Sequence, residues 1–526
     1  MECRDDLGSI LPFLPLILRS SDVFWPPAVV EALKSLSKGP LHSNVNSGHL
    51  FALAIADLRN SLGFSSLYPS VSLGFSLFFD DLMSSDEADK WFGEVVPRLA
   101  DLLLRLPALL ETHYQNAGIF NGMVTGLRLL DSQQSGIVFL SQELIAALLV
   151  CALFCLFPST NRGAKHLPPI NFDNLFACLY EWDDTSQEDK IKCIVHYFEK
   201  VCSDMPMGNV SFERKVLPLE NSPSNIFYPE ADFWRKSHVS LCQLEVRTTG
   251  LIEDQSTEAL EVDFANKYIG GGALSRGCVQ EEIRFMINPE LIISMLFLPS
   301  MADNEAIEIV GTERFSNYTG YASSFCFSGD YMDPKNIDKM GRRKTRIIAI
   351  DALCRPGNRQ YKLEYLLRET NKAFCGFFYQ TKVEQYQTLF KENRFLRAEP
   401  MNNISSEEYP DDYGEIGIVT GNWGCGAFGG DPEVKAVIQW LAASQALRPF
   451  ILYHTFNLEV LQKLERVVQW ILSHKWTVGE LWNILVDYST RRLKGETNVG
   501  LFNWLIPSLY NDDDNDPMVL DASRIT

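Results

Sequence analysis

The sequence is short of positive charge. In 526 residues, 47 Lys and Arg stand against 67 Asp and Glu, a formal net charge of −20. That balance argues against an extended basic groove, so no direct DNA binding is expected. A polyanionic ligand would have to be held locally, by backbone N–H groups and helix N-termini, one defined unit at a time. The twelve cysteines are scattered singly without a CxxC pair, and neither they nor the eight histidines form a cluster with zinc-ligand spacing. Reduced, buried thiols of an intracellular protein fit this usage better than a disulfide framework, and no metal or cofactor is expected. Long hydrophobic runs are also missing. The most apolar stretch, Leu144–Phe157, falls short of the about 20 residues that span a bilayer. Ile10–Leu18 lacks the positive flank of a signal peptide, because Glu2, Asp5 and Asp6 precede it, and Pro12 and Pro15 interrupt it. No membrane association is expected, and no fixed-period repeat is visible.

What is present is an ordinary globular balance, 46% hydrophobic and 22% charged, in a chain long enough for two domains. Residues 1–205 read as a helical accessory domain. Glu94–Glu111 carries leucines at helical spacing, with Pro107 expected to end or kink that helix. Ser141 is placed to cap a central helix over Leu144–Phe157, stopped by Pro158, and Asp189–Cys202 is a further helical candidate. Residues 206–225, with Pro206, Gly208, Pro218 and Pro223, read as a connecting segment. Beyond it the texture changes. Short β-rich runs at Val239–Val246, Leu260–Phe264, Ala306–Val310, Arg346–Ile350, Ile416–Val419 and Phe450–Thr455 alternate with helical stretches at Glu290–Leu298, Leu363–Phe374 and Glu433–Ala446. This indicates an α/β domain over 226–510 with a central sheet, whose ligands belong at the carboxyl ends of strands. C-terminal helices follow, one opened by the capping box Thr477–Glu480, and 511–526 is an acidic tail.

Two glycine-rich stretches stand out. Gly270-Gly271-Gly272, seven residues, then Gln280-Glu281-Glu282 places backbone donors beside carboxylates, which suits chemistry on a phosphorylated substrate; the same letters also suit a turn followed by an acidic surface. Asp263 and Asn266, just before it, can contact ribose or adenine groups or can cap a turn. Adjacent glutamates diverge by about 100° on a helix, so Glu281 and Glu282 do not flank one glycosidic bond as the carboxylates of an ordinary glycosidase do. One would be the acid and the other would orient ribose hydroxyls. Gly421–Asp431 has five glycines in eleven residues between a strand and a helix, the arrangement that wraps a diphosphate. It lacks the Lys-Ser/Thr pair of a Walker A loop. Arg276, in the seven-residue spacer, can assist a phosphate or face solvent.

Together with Val262-Asp263-Phe264-Ala265-Asn266, these two stretches resemble the signature of the poly(ADP-ribose) glycohydrolases, and the resemblance runs from about residue 90 to about 460. It implies a macrodomain-like core with a mixed central sheet, and hydrolysis of ribose–ribose O-glycosidic bonds, mainly in exo fashion. Residue by residue, it implies Glu282 as general acid/base supported by Glu281. Asn266 would sit at the distal ribose, with Asp263, Gly270, Gly271, Gly272 and Gln280 around it. Gly426, Ala427 and Phe428 would lie nearest the diphosphate, and Tyr321 and Phe456 would pack against the bound unit. The substrate's own diphosphate would steady the oxocarbenium ion. The implied partners are poly(ADP-ribose) on modified proteins and the product ADP-ribose. The implied setting is DNA damage response in nucleus and cytoplasm, with the chain acting as a monomer. A non-catalytic ADP-ribose reader and a mono-ADP-ribosyl hydrolase are the alternatives.

Overall fold

A computed structural model describes residues 4–19, 22–120, 123–182, 185–219, 228–255, 258–379 and 416–505. The acidic tail lies outside them. Eight sheet strands are β1 (Gly136–Ser141), β2 (Asn209–Val216), β3 (Gln243–Arg247), β4 (Ala259–Asp263), β5 (Glu305–Val310), β6 (Arg346–Ala349), β7 (Gly417–Thr420) and β8 (Phe450–His454). They are of mixed direction. The chain divides into two compact units, Met1–Val216 with Asp263–Asp351, and Leu217–Val262 with Ala352–Thr526.

In the first unit β1, β2, β5 and β6 are antiparallel neighbours in that order, with Val138 opposite Phe212 and Phe212 opposite Ile309. Helices α1 (Val96–Asn116), α2 (Gln142–Leu153), α3 (Thr185–Ser203) and α4 (Gln280–Ile287) belong to this unit. Every residue of α2 from Leu144 to Leu153 is buried, as its unbroken apolarity requires, and the Ser141 hydroxyl accepts the Leu144 N–H at its start. Two expectations need correction. Asn209–Val216, read as connecting segment, is a central strand, and Gly136–Ser141 is a strand inside the stretch read as helical. Pro206, Gly208 and Pro218 around the first read as a connection, and the second is a short apolar run leading straight into a helix; each becomes ladder only once a partner strand is present. Pro107 likewise does not end α1. A proline leaves the carbonyl four residues back without its helical donor, and here the Trp25 indole Nε1–H donates to the Leu103 carbonyl at 2.7 Å.

In the second unit β4, β7, β8 and β3 run parallel, with Ile418 between Leu260 and Ile451. All residues of β4 and β7 are buried, which fits parallel strands covered on both faces. Its helices α5 (Leu363–Phe377), α6 (Pro432–Gln445) and α7 (Val478–Lys494) start where the residue types direct: Pro432 opens α6, and Thr477 with Glu480 closes a capping box on α7.

Candidate active site

In the first unit the chain leaves the carboxyl end of β4 at Asp263, passes through the three glycines and enters α4 at Gln280. Both glutamates of the first turn of α4 are buried, Glu281 at 3% and Glu282 at 7% exposure. Neither is a surface acid. The Glu281 carboxylate accepts the Asn266 N–H at 2.8 Å and the Gly270 N–H at 2.6 Å. The Glu282 carboxylate accepts the Gly272 N–H at 2.8 Å and, reaching back over its own helix start, the Val279 N–H at 3.0 Å. Gly271 explains why the loop must be glycine. Its φ is +49°, and a Cβ there would stand 2.6 Å from oxygens of both Glu281 and Glu282. A Cβ on Gly277 would stand 2.7 Å from Glu282 Oε1.

The donors expected to serve a substrate anion therefore hold the protein's own carboxylates, and the Gly271 N–H goes to the Tyr268 carbonyl. Gln280 ties the loop back, its Oε1 accepting the Phe264 N–H at 2.9 Å. The Asn266 side chain accepts the Tyr268 N–H through Oδ1, which orients its amide within the loop. Asp263, 1% exposed, completes an acidic cluster. Burial pushes its carboxyl up to about 8, opposed by the Arg284 guanidinium and reinforced by Glu282. Burial, then the charges of Asp263 and Glu282, push Glu281 well above the usual carboxylate range, against the pull of its two N–H bonds. Tyr321 joins the same group. It is half exposed, and its hydroxyl accepts the Gln280 backbone N–H at the start of α4. Arg276 stacks on Trp182, its guanidinium carbon 3.9 Å from the ring centre.

In the second unit, Gly421–Asp431 follows the carboxyl end of β7. The Gly429 N–H closes on the Gly426 carbonyl at 3.0 Å and the Gly430 N–H on Gly424 at 2.9 Å. Among the described residues, the N–H groups of Gly426, Ala427 and Phe428 donate to no other group, and Gly426 and Ala427 are exposed. Among the described residues, the N–H groups of Asn422 and Gly424 in the same loop have no acceptor either. The helix start behind them is not free, because Asp431 accepts the Glu433 and Val434 N–H groups at 3.0 and 3.3 Å. An anion placed on this loop would meet the loop's own N–H groups, since the helix N-terminus is already capped. Phe456, just past β8, is presented outward at 44% exposure from a backbone with φ of +51°, an uncommon conformation for an aromatic residue. Nearby, Asn422 Nδ2 donates to the Thr455 carbonyl at 3.0 Å.

Two lysines that the motif reading missed support these loops. Lys190 on α3 donates to the carbonyls of Ser275 and Gly277 in the seven-residue spacer. Lys435 on α6 pairs with Glu369 of α5, and its Nζ lies 4.0 Å from the Trp423 ring centre. Each is a buried cation on the inward face of its helix. That position, a lysine at core spacing, was the one available sequence signal.

A family profile described as poly(ADP-ribose) glycohydrolase, macro domain fold, matches residues 231–463, and one described as the helical domain of the same family matches 83–214. The chain is 57% identical to poly(ADP-ribose) glycohydrolase 1 of Arabidopsis thaliana over 97% of its own length and 98% of that protein. This chain belongs to the poly(ADP-ribose) glycohydrolase family. It is also 52% identical to the probable poly(ADP-ribose) glycohydrolase 2 of Arabidopsis thaliana, over 97% of its length and all of that protein. With poly(ADP-ribose) glycohydrolase 1 of Caenorhabditis elegans it shares 32% identity, over 59% of this chain and 36% of that protein. As a family member it is a glycosidase built on a macrodomain fold with a helical domain, as the motifs led one to expect.

Proposed function

We propose that the chain hydrolyses the ribose–ribose O-glycosidic bonds of poly(ADP-ribose), mainly from chain ends, and releases ADP-ribose. The observation that carries this reading is the buried carboxylate pair of α4, each member held by glycine-loop N–H groups. Glu282 gives its proton to the departing ribose oxygen as the C–O bond breaks. Water then adds to the oxocarbenium carbon and returns a proton to the Glu282 carboxylate, so the enzyme is regenerated. Glu281 and Asn266 orient the ribose, and the free N–H groups of Gly426, Ala427 and Phe428 take the diphosphate, whose charge steadies the cation. Tyr321 and Phe456 supply the exposed aromatic faces for the bound unit.

Incubation of the full chain with poly(ADP-ribose) tests this. Wild type should release ADP-ribose from the first minutes, whereas Glu282→Gln should lose about 10²–10⁴ of kcat, the range of an acid/base step, while ADP-ribose binding by calorimetry stays unchanged. A non-catalytic reader would show no turnover in wild type. Long internal fragments among the first products would refute the exo mode. A single protein-bound unit left after digestion separates this activity from mono-ADP-ribosyl hydrolysis. We further propose that the chain acts as a monomer in nucleus and cytoplasm, which sedimentation of the free chain and imaging of a tagged one would test.

A further inference from the structure

The ammonium of Lys190 has no exposed surface. A buried cation is costly unless polar groups surround it, and Lys190 donates to main-chain oxygens of the active-site loop: Ser275 at 2.5 Å and Gly277 at 2.7 Å. Those carbonyls flank Arg276 in the spacer between Gly272 and Gln280. The spacer is packed to its limit. The Gly277 N–H donates to the Gly272 carbonyl at 3.0 Å, and the Ser275 hydroxyl donates to the same carbonyl at 3.1 Å. Gly277 lies so close to Glu282 that a single added carbon would meet its carboxyl at 2.7 Å, and Gly272 donates its N–H to that carboxyl. A chain of direct contacts therefore runs from Lys190 through Gly277 and Gly272 to Glu282.

The same helix also steadies the Tyr321 hairpin. His196 and Lys200, one and a half to three turns further along α3, reach the carboxylate of Asp330 at 3.0 and 3.1 Å. Asp330 ends the hairpin strand Cys326–Asp330, which pairs with Ser316–Thr319 on the other side of Tyr321. These are a hydrogen bond and a solvent-exposed ion pair of small expected worth. The buried Lys190 contact is the one that touches the loop bearing on the acid.

We infer that Lys190 is a positioning residue for the hydrolysis: by clamping Ser275 and Gly277 it holds the spacer against Glu282 and sets the orientation of the acid/base carboxyl. This rests on the reading of Glu282 as that acid/base. Positioning errors of about 1 Å are enough to slow such a step markedly without changing what the site binds.

The test compares full-length wild type, Lys190→Met, Lys190→Gln, Lys190→Arg and Glu282→Gln by kcat and KM on poly(ADP-ribose), ADP-ribose affinity and melting temperature. Loss of a charged hydrogen-bond donor predicts that Lys190→Met lowers kcat about 10- to 100-fold. KM and ADP-ribose affinity should stay within about two-fold, because their groups are not displaced. Lys190→Arg, which keeps donors for both carbonyls, should restore most of the loss. Lys190→Gln keeps a neutral donor and should fall between the two; it carries the comparison should the methionine variant not fold. A kcat within about two-fold of wild type in both neutral variants would overturn the proposal. So would a joint decline of kcat, KM and ADP-ribose affinity that follows melting temperature and is not rescued by arginine, since that is a purely structural role. Full turnover in Glu282→Gln would instead remove the acid/base reading, and it is told apart from the first failure because the Lys190 variants play no part in it.

Discussion

At the scale of single residues, the acidic cluster makes a prediction that runs against usual surface chemistry. An Asp whose folded pKa is raised from 3.8 to about 8 costs the folded state progressively as pH climbs between those values, because the unfolded chain loses the proton first. Asp263→Asn removes that cost while keeping the shape. The variant should therefore melt higher than wild type, by a margin that grows from pH 5 to pH 8 and levels off above. A margin independent of pH, measured by calorimetry across that range, would show that Asp263 is not held protonated by its site. The position of Asp263, a buried strand end beside two glutamates, also explains why its letters could be read as a cap: nothing local reveals that three carboxyls converge.

Among the elements, α1 shows how a tertiary contact overrides a local rule. Pro107 strips Leu103 of its helical donor, and the buried Trp25 indole replaces it. Trp25→Phe leaves that carbonyl unsatisfied and should destabilise the protein by about 1–3 kcal/mol in urea unfolding. In a Pro107→Ala background the alanine N–H can reach the same carbonyl, so Trp25→Phe should cost measurably less. Equal costs in the two backgrounds would mean that the indole does not repair the helix. The strand Asn209–Val216 follows the same logic. Its prolines and glycine lie outside it, but only the strands on either side, Gly136–Ser141 and Glu305–Val310, turn its eight residues into ladder.

For the whole molecule, charge sets the terms of substrate capture. An enzyme of net charge −20 meeting a polyanion is repelled at long range, and on the proposed reading its attraction comes from loop N–H groups at short range. Raising salt from 50 to 200 mM should leave KM for poly(ADP-ribose) unchanged or lower it, because screening weakens the repulsion. A basic groove would show the reverse, a steep loss of affinity with salt. Kinetics across that salt range with long chains decide between them, and a KM that rises ten-fold would argue for a cationic track on the surface.

Legible in the sequence were the two glycine-rich loops, the alternation of strand and helix from β3 onward, the caps at Ser141 and Thr477, and the central place of α2, because each is encoded by neighbouring residues or by an unbroken apolar run. Motif letters also picked out Glu281, Glu282, Tyr321 and Gly426–Phe428, although not what each does. Three features were left to the tertiary structure: that the triple glycine serves the carboxylates, that α1 survives its proline, and that Lys190 reaches the spacer; the Asp431 cap on α6 is local, an N-cap acid just before Pro432. The reason is common to all three. Each depends on a donor, an acceptor or an excluded volume brought in by a segment distant in the chain or folded back on it, and hydrogen bonds of that kind have no local signature.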